Sequence, residues 1–176
     1  MNILICYAST EGQTRKIARF CAGQLIASGH SVEVIGAADA TDVSVELFDA
    51  AILAGSVHIG RIQAELQDFA AAHAHALSHM PTIFLQVSLA IVGQDADELV
   101  HLDRIAAEFC EKAGWEPGAV HQIAGAFRFA EYDFFKSWAM RWIAMIKGET
   151  VDPKGDTEYT DWPALANILA KWPSAG

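Results

Sequence analysis

Between residues 8 and 15 the chain reads Ala8-Ser9-Thr10-Glu11-Gly12-Gln13-Thr14-Arg15, which gathers three hydroxyls, an amide and a glycine into a short stretch. Hydroxyls and the main-chain N–H groups that open a helix bond phosphate oxygens, and the helix dipole favours negative charge there. Gly12 lets the backbone approach a ligand with no Cβ in the way. There is no Gly-x-x-x-x-Gly-Lys-Ser/Thr pattern, so a nucleoside triphosphate is not indicated. There is no Gly-x-Gly-x-x-Gly either, which argues against a dinucleotide. Glu11 would repel a polyphosphate, so the residues suit a single phosphate held by hydroxyls and amides. A helix start capped by Ser or Thr with nothing bound is the alternative.

The elements around this loop follow from hydrophobic spacing. Asn2–Ala8 is a continuous apolar run and reads as a strand buried on both faces. Gln13–Ser28 carries Ile17, Ala18, Cys21, Ala22 and Leu25 at helical spacing, and Ser28-Gly29 ends it. Further strands are expected at Ser31–Ile35, Phe48–Ser56, Thr82–Ser88 and His121–Phe129, the last interrupted by Gly125. Helices are expected at Ile62–His75, Asp95–Ala113 and Trp162–Trp172, with Asp161 as a cap. Strands alternating with helices imply a parallel sheet covered on both faces, in the α/β class. The expected arrangement is a flavodoxin-like three-layer sandwich with strand order 2-1-3-4-5, forming a single domain over residues 1–176. The ligand of such a sheet sits beyond the carboxyl ends of its strands, where Ser9–Thr14, Ser56–Arg61 and Ser88–Gly93 should meet.

Composition narrows the function. The 176 residues are 52% hydrophobic and 19% charged, which describes a folded chain with a substantial core. A net charge of −10 without a Lys/Arg-rich run argues against nucleic acid. No apolar run reaches the ~18 residues needed to span a bilayer, and no leader is evident, so a cytoplasmic location is expected. Cys6, Cys21 and Cys110 are scattered, without a Cys-x-x-Cys pair or a neighbouring His cluster. They read as small core residues, and no metal site is expected.

The phosphate loop resembles the FMN-phosphate loop of the flavodoxin-like superfamily, onto which Ser9, Thr10, Gly12 and Thr14 can be laid. The resemblance implies FMN as cofactor, with Glu11 and Gln13 completing the loop. Ser56, Val57, His58, Ile59 and Gly60 would then wrap the flavin ring, Gly55 and Gly60 freeing the backbone to do so. Arg61 would favour the anionic reduced flavin or lie near substrate, a surface cation being the alternative. Ser88, Leu89, Ala90, Ile91 and Val92 would form the facing loop. It holds no aromatic residue, so Leu89 and Ile91 would leave an apolar, uncovered ring face suited to a bulky reactant.

Ordinary flavodoxins lack the next feature, an insert of about residues 130–161 between the fifth strand and the last helix. Residues 133–147 read as a helix with Asp133, Lys136, Ser137, Arg141 and Lys147 on one side. Phe134, Phe135, Trp138, Trp142, Ile143, Met145 and Ile146 occupy the other. That profile fits an interfacial helix, a cover over a large apolar ligand, or a face packed on its own domain or on a homodimer partner.

Glu11-Gly12-Gln13-Thr14-Arg15, Ile123-Ala124-Gly125-Ala126-Phe127-Arg128-Phe129, Gly148-Glu149-Thr150 and Tyr159-Thr160-Asp161-Trp162 together resemble the menaquinone-dependent protoporphyrinogen IX dehydrogenases. The likeness runs over nearly the whole chain. It implies FMN-mediated oxidation of protoporphyrinogen IX to protoporphyrin IX in heme biosynthesis, with six electrons leaving in three two-electron rounds to a membrane quinone. Arg128, with Lys136 or Arg141, would pair with the substrate's propionates, and Trp138 would join Arg61 on the substrate side. Residues 133–147 would contact the inner face of the cell membrane. No side chain is expected to serve as a general base, because flavin and solvent accept what the substrate loses. The alternative is a flavodoxin-like electron carrier whose insert docks a redox partner protein.

Overall fold

The computed structural model describes residues 1–93, 95–127 and 157–172. Its central sheet contains β1 (Asn2–Ala8), β2 (Ser31–Gly36), β3 (Ala50–His58), β4 (Arg61–Ile62), β5 (Thr82–Ser88) and β6 (Ala119–Ala124). The long strands lie in the order β2-β1-β3-β5-β6 and all pair in parallel. This is the expected order for five strands. The addition is β4, which pairs antiparallel with the end of β3 through Val57↔Ile62 and His58↔Arg61.

The continuous apolar strands make sense once both faces are seen. Ile3, Ile5, Ile52, Ile83 and Leu85 point to one layer, where they pack with Ile17, Cys21 and Leu25 of α1 (Gln13–Ala27) and with Leu165 and Leu169 of α5 (Trp162–Ala170). Leu4, Cys6, Leu53 and Phe84 point to the other. There they meet Leu66 and Phe69 of α2 (Ala64–Ala72), Leu77 of α3 (Ala74–Leu77), and Ile105 and Phe109 of α4 (Ala96–Ala113). Period-2 alternation thus persists within a run that looks unbroken, since both faces are apolar. Phe84 stacks on Phe109 with centroids 4.7 Å apart, and Trp115 meets Phe84 edge-on.

The helix expected over Ile62–His75 needs correction. Ile62 belongs to β4, and the helical residues divide into α2 and α3 around His73. Ile62 satisfies helical spacing, but the chain reverses just before it at Ile59 and Gly60, both at positive φ (49° and 73°). That is the conformation a two-residue hairpin requires. Gly55 also has another role than the one expected. A Cβ there would lie 2.7 Å from Ile62 Cγ2 and 2.8 Å from Leu66 Cδ2, so glycine is needed to let β4 and α2 close onto β3.

The last strand also ends earlier than expected. After Gly125 the chain enters β7 (Ala126–Phe127), which pairs antiparallel with β8 (Thr157–Glu158) as a separate two-stranded stem. The expected helix at 133–147, with Arg128, Lys136, Trp138 and Arg141, lies outside the described residues.

Candidate functional site

Strand order reverses on either side of β1, and the loops leaving β1, β3 and β5 converge beyond that point on a cleft of about 390 Å³. This is the position a ligand takes in an open α/β sheet. The volume lies within the range of small-molecule sites.

The first wall is Ser9, Thr10, Glu11, Gln13 and Thr14. Ser9 Oγ accepts from the Gly12 N–H at 2.9 Å, turning the chain into α1. Gly12 is the helix N-cap at φ 88°, and no side chain caps the helix. The alternative of a start capped by a Ser or Thr side chain is therefore not the arrangement here, and the N–H groups of the first turn keep their donor capacity. Thr14 is 1% exposed, yet its Oγ1 has no hydrogen-bond partner among the described residues. A buried hydroxyl without a partner costs free energy unless a ligand completes it. An uncapped helix start and an orphaned hydroxyl at one place are what a small anion would satisfy, so these residues fit a phosphate monoester.

The second wall is Ser56, Val57, His58, Ile59 and Gly60, and the third is Val87, Ser88, Leu89 and Ala90. Ser88 Oγ accepts from the Ala90 N–H at 3.1 Å, which folds that loop back on itself. Gly12, Arg61, Ile91 and Val92, expected at the site, do not line the cleft. Arg61 is exposed on β4, while Ile91 and Val92 are half-buried in the short 3-10 turn Ala90–Gly93. Leu89 thus supplies the apolar character of this loop without Ile91.

Residues not anticipated complete the enclosure. Glu98, His101, Leu102 and Ile105 of α4 line one side, and Gly125 and Ala126 line another. The signal for the first group was present: Glu98 and His101 stand three apart near the start of the helix that follows the third loop, and so share a face. Among the described lining residues there is no Lys or Arg. Cysteine chemistry is also remote, since burial pushes the thiols of Cys6 and Cys21 up to about 12.

Ile59 is the one non-glycine residue at positive φ among those described, and it is 70% exposed at the hairpin tip. The left-handed conformation is unfavourable for a β-branched side chain, and such outliers cluster at functional sites. Replacing Ile59 with Asn should raise the unfolding free energy by about 1 kcal/mol in urea denaturation, because Asn tolerates this conformation.

The stem returns the chain to the cleft. Tyr159 N–H donates to Gly125 O at 3.1 Å, and Gly125 N–H donates to Ser88 O at 3.1 Å. Gln13 Nε2 donates to Thr160 Oγ1 at 2.9 Å, and the Thr160 hydroxyl donates onward to Ala124 O at 2.7 Å. Lys16 pairs with Glu158 and lies 5.3 Å from the Trp162 ring centroid, while Trp162 Nε1 donates to Glu158 Oε1. Asp161 caps α5 by accepting from Ala164 N–H at 2.9 Å. The Tyr159-Thr160-Asp161-Trp162 segment thus fastens the end of β8 beside the first wall, and Ala126 of its partner strand β7 lines the cleft.

A family model described as a flavodoxin domain matches residues 4–154. The chain is 28% identical over 168 residues to a protein of Escherichia coli strain K12 named protoporphyrinogen IX dehydrogenase (quinone), covering 96% of this chain and 92% of that one. Among solved structures, a cysteine-to-alanine mutant of flavodoxin from Pseudomonas aeruginosa matches with a TM-score of 0.54 at 19% identity, covering 84% of this chain and 100% of that one. Flavodoxin 1 from Bacillus cereus matches with a TM-score of 0.52 at 19% identity, covering 82% and 96%.

Proposed function

The chain belongs to the flavodoxin domain family, and from that membership we propose that it is an FMN-dependent oxidoreductase that takes electrons from protoporphyrinogen IX and delivers them to a quinone. The observation that carries the reading is the extent of the likeness. An alignment over 96% of the chain leaves out far fewer residues than segment 128–156 contains, so it runs through the part that distinguishes this protein from ordinary flavodoxins.

FMN is the cofactor, and when bound it supplies the two-electron exchange that links substrate to quinone. The chain's own task is to hold and enclose. Thr14 Oγ1, the hydroxyls of Ser9 and Thr10 and the first-turn N–H groups of α1 would hold the phosphate. Residues 56–60 and 88–90 would bracket the ring. Val57, Ile59 and Leu89 make the walls apolar, which excludes water and favours a large apolar reactant. Each conversion of protoporphyrinogen IX to protoporphyrin IX removes six electrons and six protons and reduces three quinones. Arg128, Lys136 and Arg141 would pair with the propionates, and the cation-bearing sequence 133–147 would meet the membrane that dissolves the quinone. No helix among the described residues is long and apolar enough to cross a membrane.

A second reading is favoured by charge. The net charge of −10, with Asp95, Asp97 and Glu98 where α4 borders the cleft, suits docking of a basic redox protein to an electron carrier. The two separate when FMN-loaded protein is mixed anaerobically with protoporphyrinogen IX and no other protein. Bleaching of the flavin absorbance with matching porphyrin formation supports the dehydrogenase. Flavin that stays oxidised until a reductase is added supports the carrier.

A further inference from the structure

Gln63 stands between β4 and α2, half-buried, and sequence reasoning gives it no role. In the structure it joins two walls of the cleft. Its Oε1 accepts from the Ser56 N–H at 3.2 Å, while its Nε2 donates to Thr10 Oγ1 at 3.1 Å and to Ser56 Oγ. The amide orientation is fixed by chemistry. A backbone N–H can only donate, so the atom facing Ser56 N is the oxygen, and the nitrogen must face both hydroxyls.

That geometry has a consequence for the cleft. The NH₂ group has two donors, one for each hydroxyl oxygen. Thr10 and Ser56 each accept from Gln63, which leaves their own O–H groups to donate elsewhere, and both residues line the cleft. We propose that Gln63 is a positioning residue that turns the Thr10 and Ser56 hydroxyls into donors facing the ligand, and so, through Thr10 at the phosphate, sets the site's preference for a phosphorylated flavin. The proposal rests on the FMN reading above. Gly55 is what makes it possible, because a Cβ there would hold off Ile62 and Leu66 and move Gln63 away from β3.

The test compares FMN with riboflavin, which lacks the phosphate, as ligands of apo-protein, by quenching of flavin fluorescence. Gln63→Ala frees both hydroxyls to rotate and should weaken FMN about 10-fold, as expected for a lost charge-assisted hydrogen bond. Gln63→Glu keeps the shape but accepts from both hydroxyls and adds a negative charge. It should weaken FMN by about 100-fold or more while changing riboflavin by less than about 3-fold. Thermal unfolding of each apo-variant controls for folding, and a merely structural role would move the unfolding temperature and both ligands together. FMN-to-riboflavin ratios equal to wild type in both variants overturn the proposal and leave the FMN reading intact. A wild-type protein that binds neither flavin overturns both.

Discussion

Replacing residues 128–156 with an Asn-Gly turn should leave a protein that folds and binds FMN but oxidises protoporphyrinogen IX no faster than the spontaneous reaction. The cut is defined by the stem: Phe127 and Thr157 are direct antiparallel partners, and Ala126 pairs with Glu158, so a two-residue turn can close the ladder. The three loops and α4 that line the cleft, the Gln13–Thr160–Ala124 chain and the Lys16–Glu158–Trp162 cluster all lie outside the excised segment. The cofactor site should therefore survive. What is lost is Arg128, Lys136, Trp138 and Arg141, four of the residues assigned to the substrate. Circular dichroism and FMN titration check the first half, and porphyrin fluorescence checks the second. A truncated protein that still turns over protoporphyrinogen would place substrate recognition in the cleft itself.

Thr14→Val should act in opposite directions on the empty and loaded protein. The substitution keeps the side-chain shape and replaces a buried hydroxyl that has no partner among the described residues. Removing such a group should stabilise the apo-protein by about 1 kcal/mol in urea denaturation. The same hydroxyl is assigned to the phosphate, and a hydrogen bond to a charged group contributes about 1.5–3 kcal/mol. FMN affinity should then fall by roughly 10- to 100-fold, with riboflavin affinity little changed. A site kept poised for its ligand at the expense of its own stability would show both effects. A variant that loses apo-stability and keeps FMN affinity would show instead that Thr14 serves the fold.

The long elements were legible because the residues that build them repeat one signal. Ile3 to Tyr7 and Ala50 to Ala54 are continuous apolar runs, and the two-sided core explains why they do not alternate with polar residues. The first wall of the cleft was legible for a similar reason, since it is a local cluster of hydroxyls between a strand and a helix. β4 was not. Two residues carry no periodicity, Ile62 also fits the stripe of the following helix, and the hairpin turns on Ile59, a residue type that argues against positive φ. Gly55 looked like a loop glycine and proved to be a contact with Ile62 and Leu66, visible only once the strand and helix are docked. Gln63, Glu98 and His101 belong to the same category. Each sits on an ordinary helix flank in sequence and reaches the cleft only through the packing of α2 and α4 on the sheet.

On the proposed function, the flavin, the cleft and segment 128–156 together make a quinone-dependent dehydrogenase. Anaerobic turnover of protoporphyrinogen IX by FMN-loaded protein, with and without menadione and followed by porphyrin fluorescence, addresses it directly. Porphyrin formation should need both protein and quinone, continue through many turnovers without any second protein, and fall when Arg128 is replaced by Ala. A protein that binds FMN tightly yet forms porphyrin only at the spontaneous rate would contradict the proposed function.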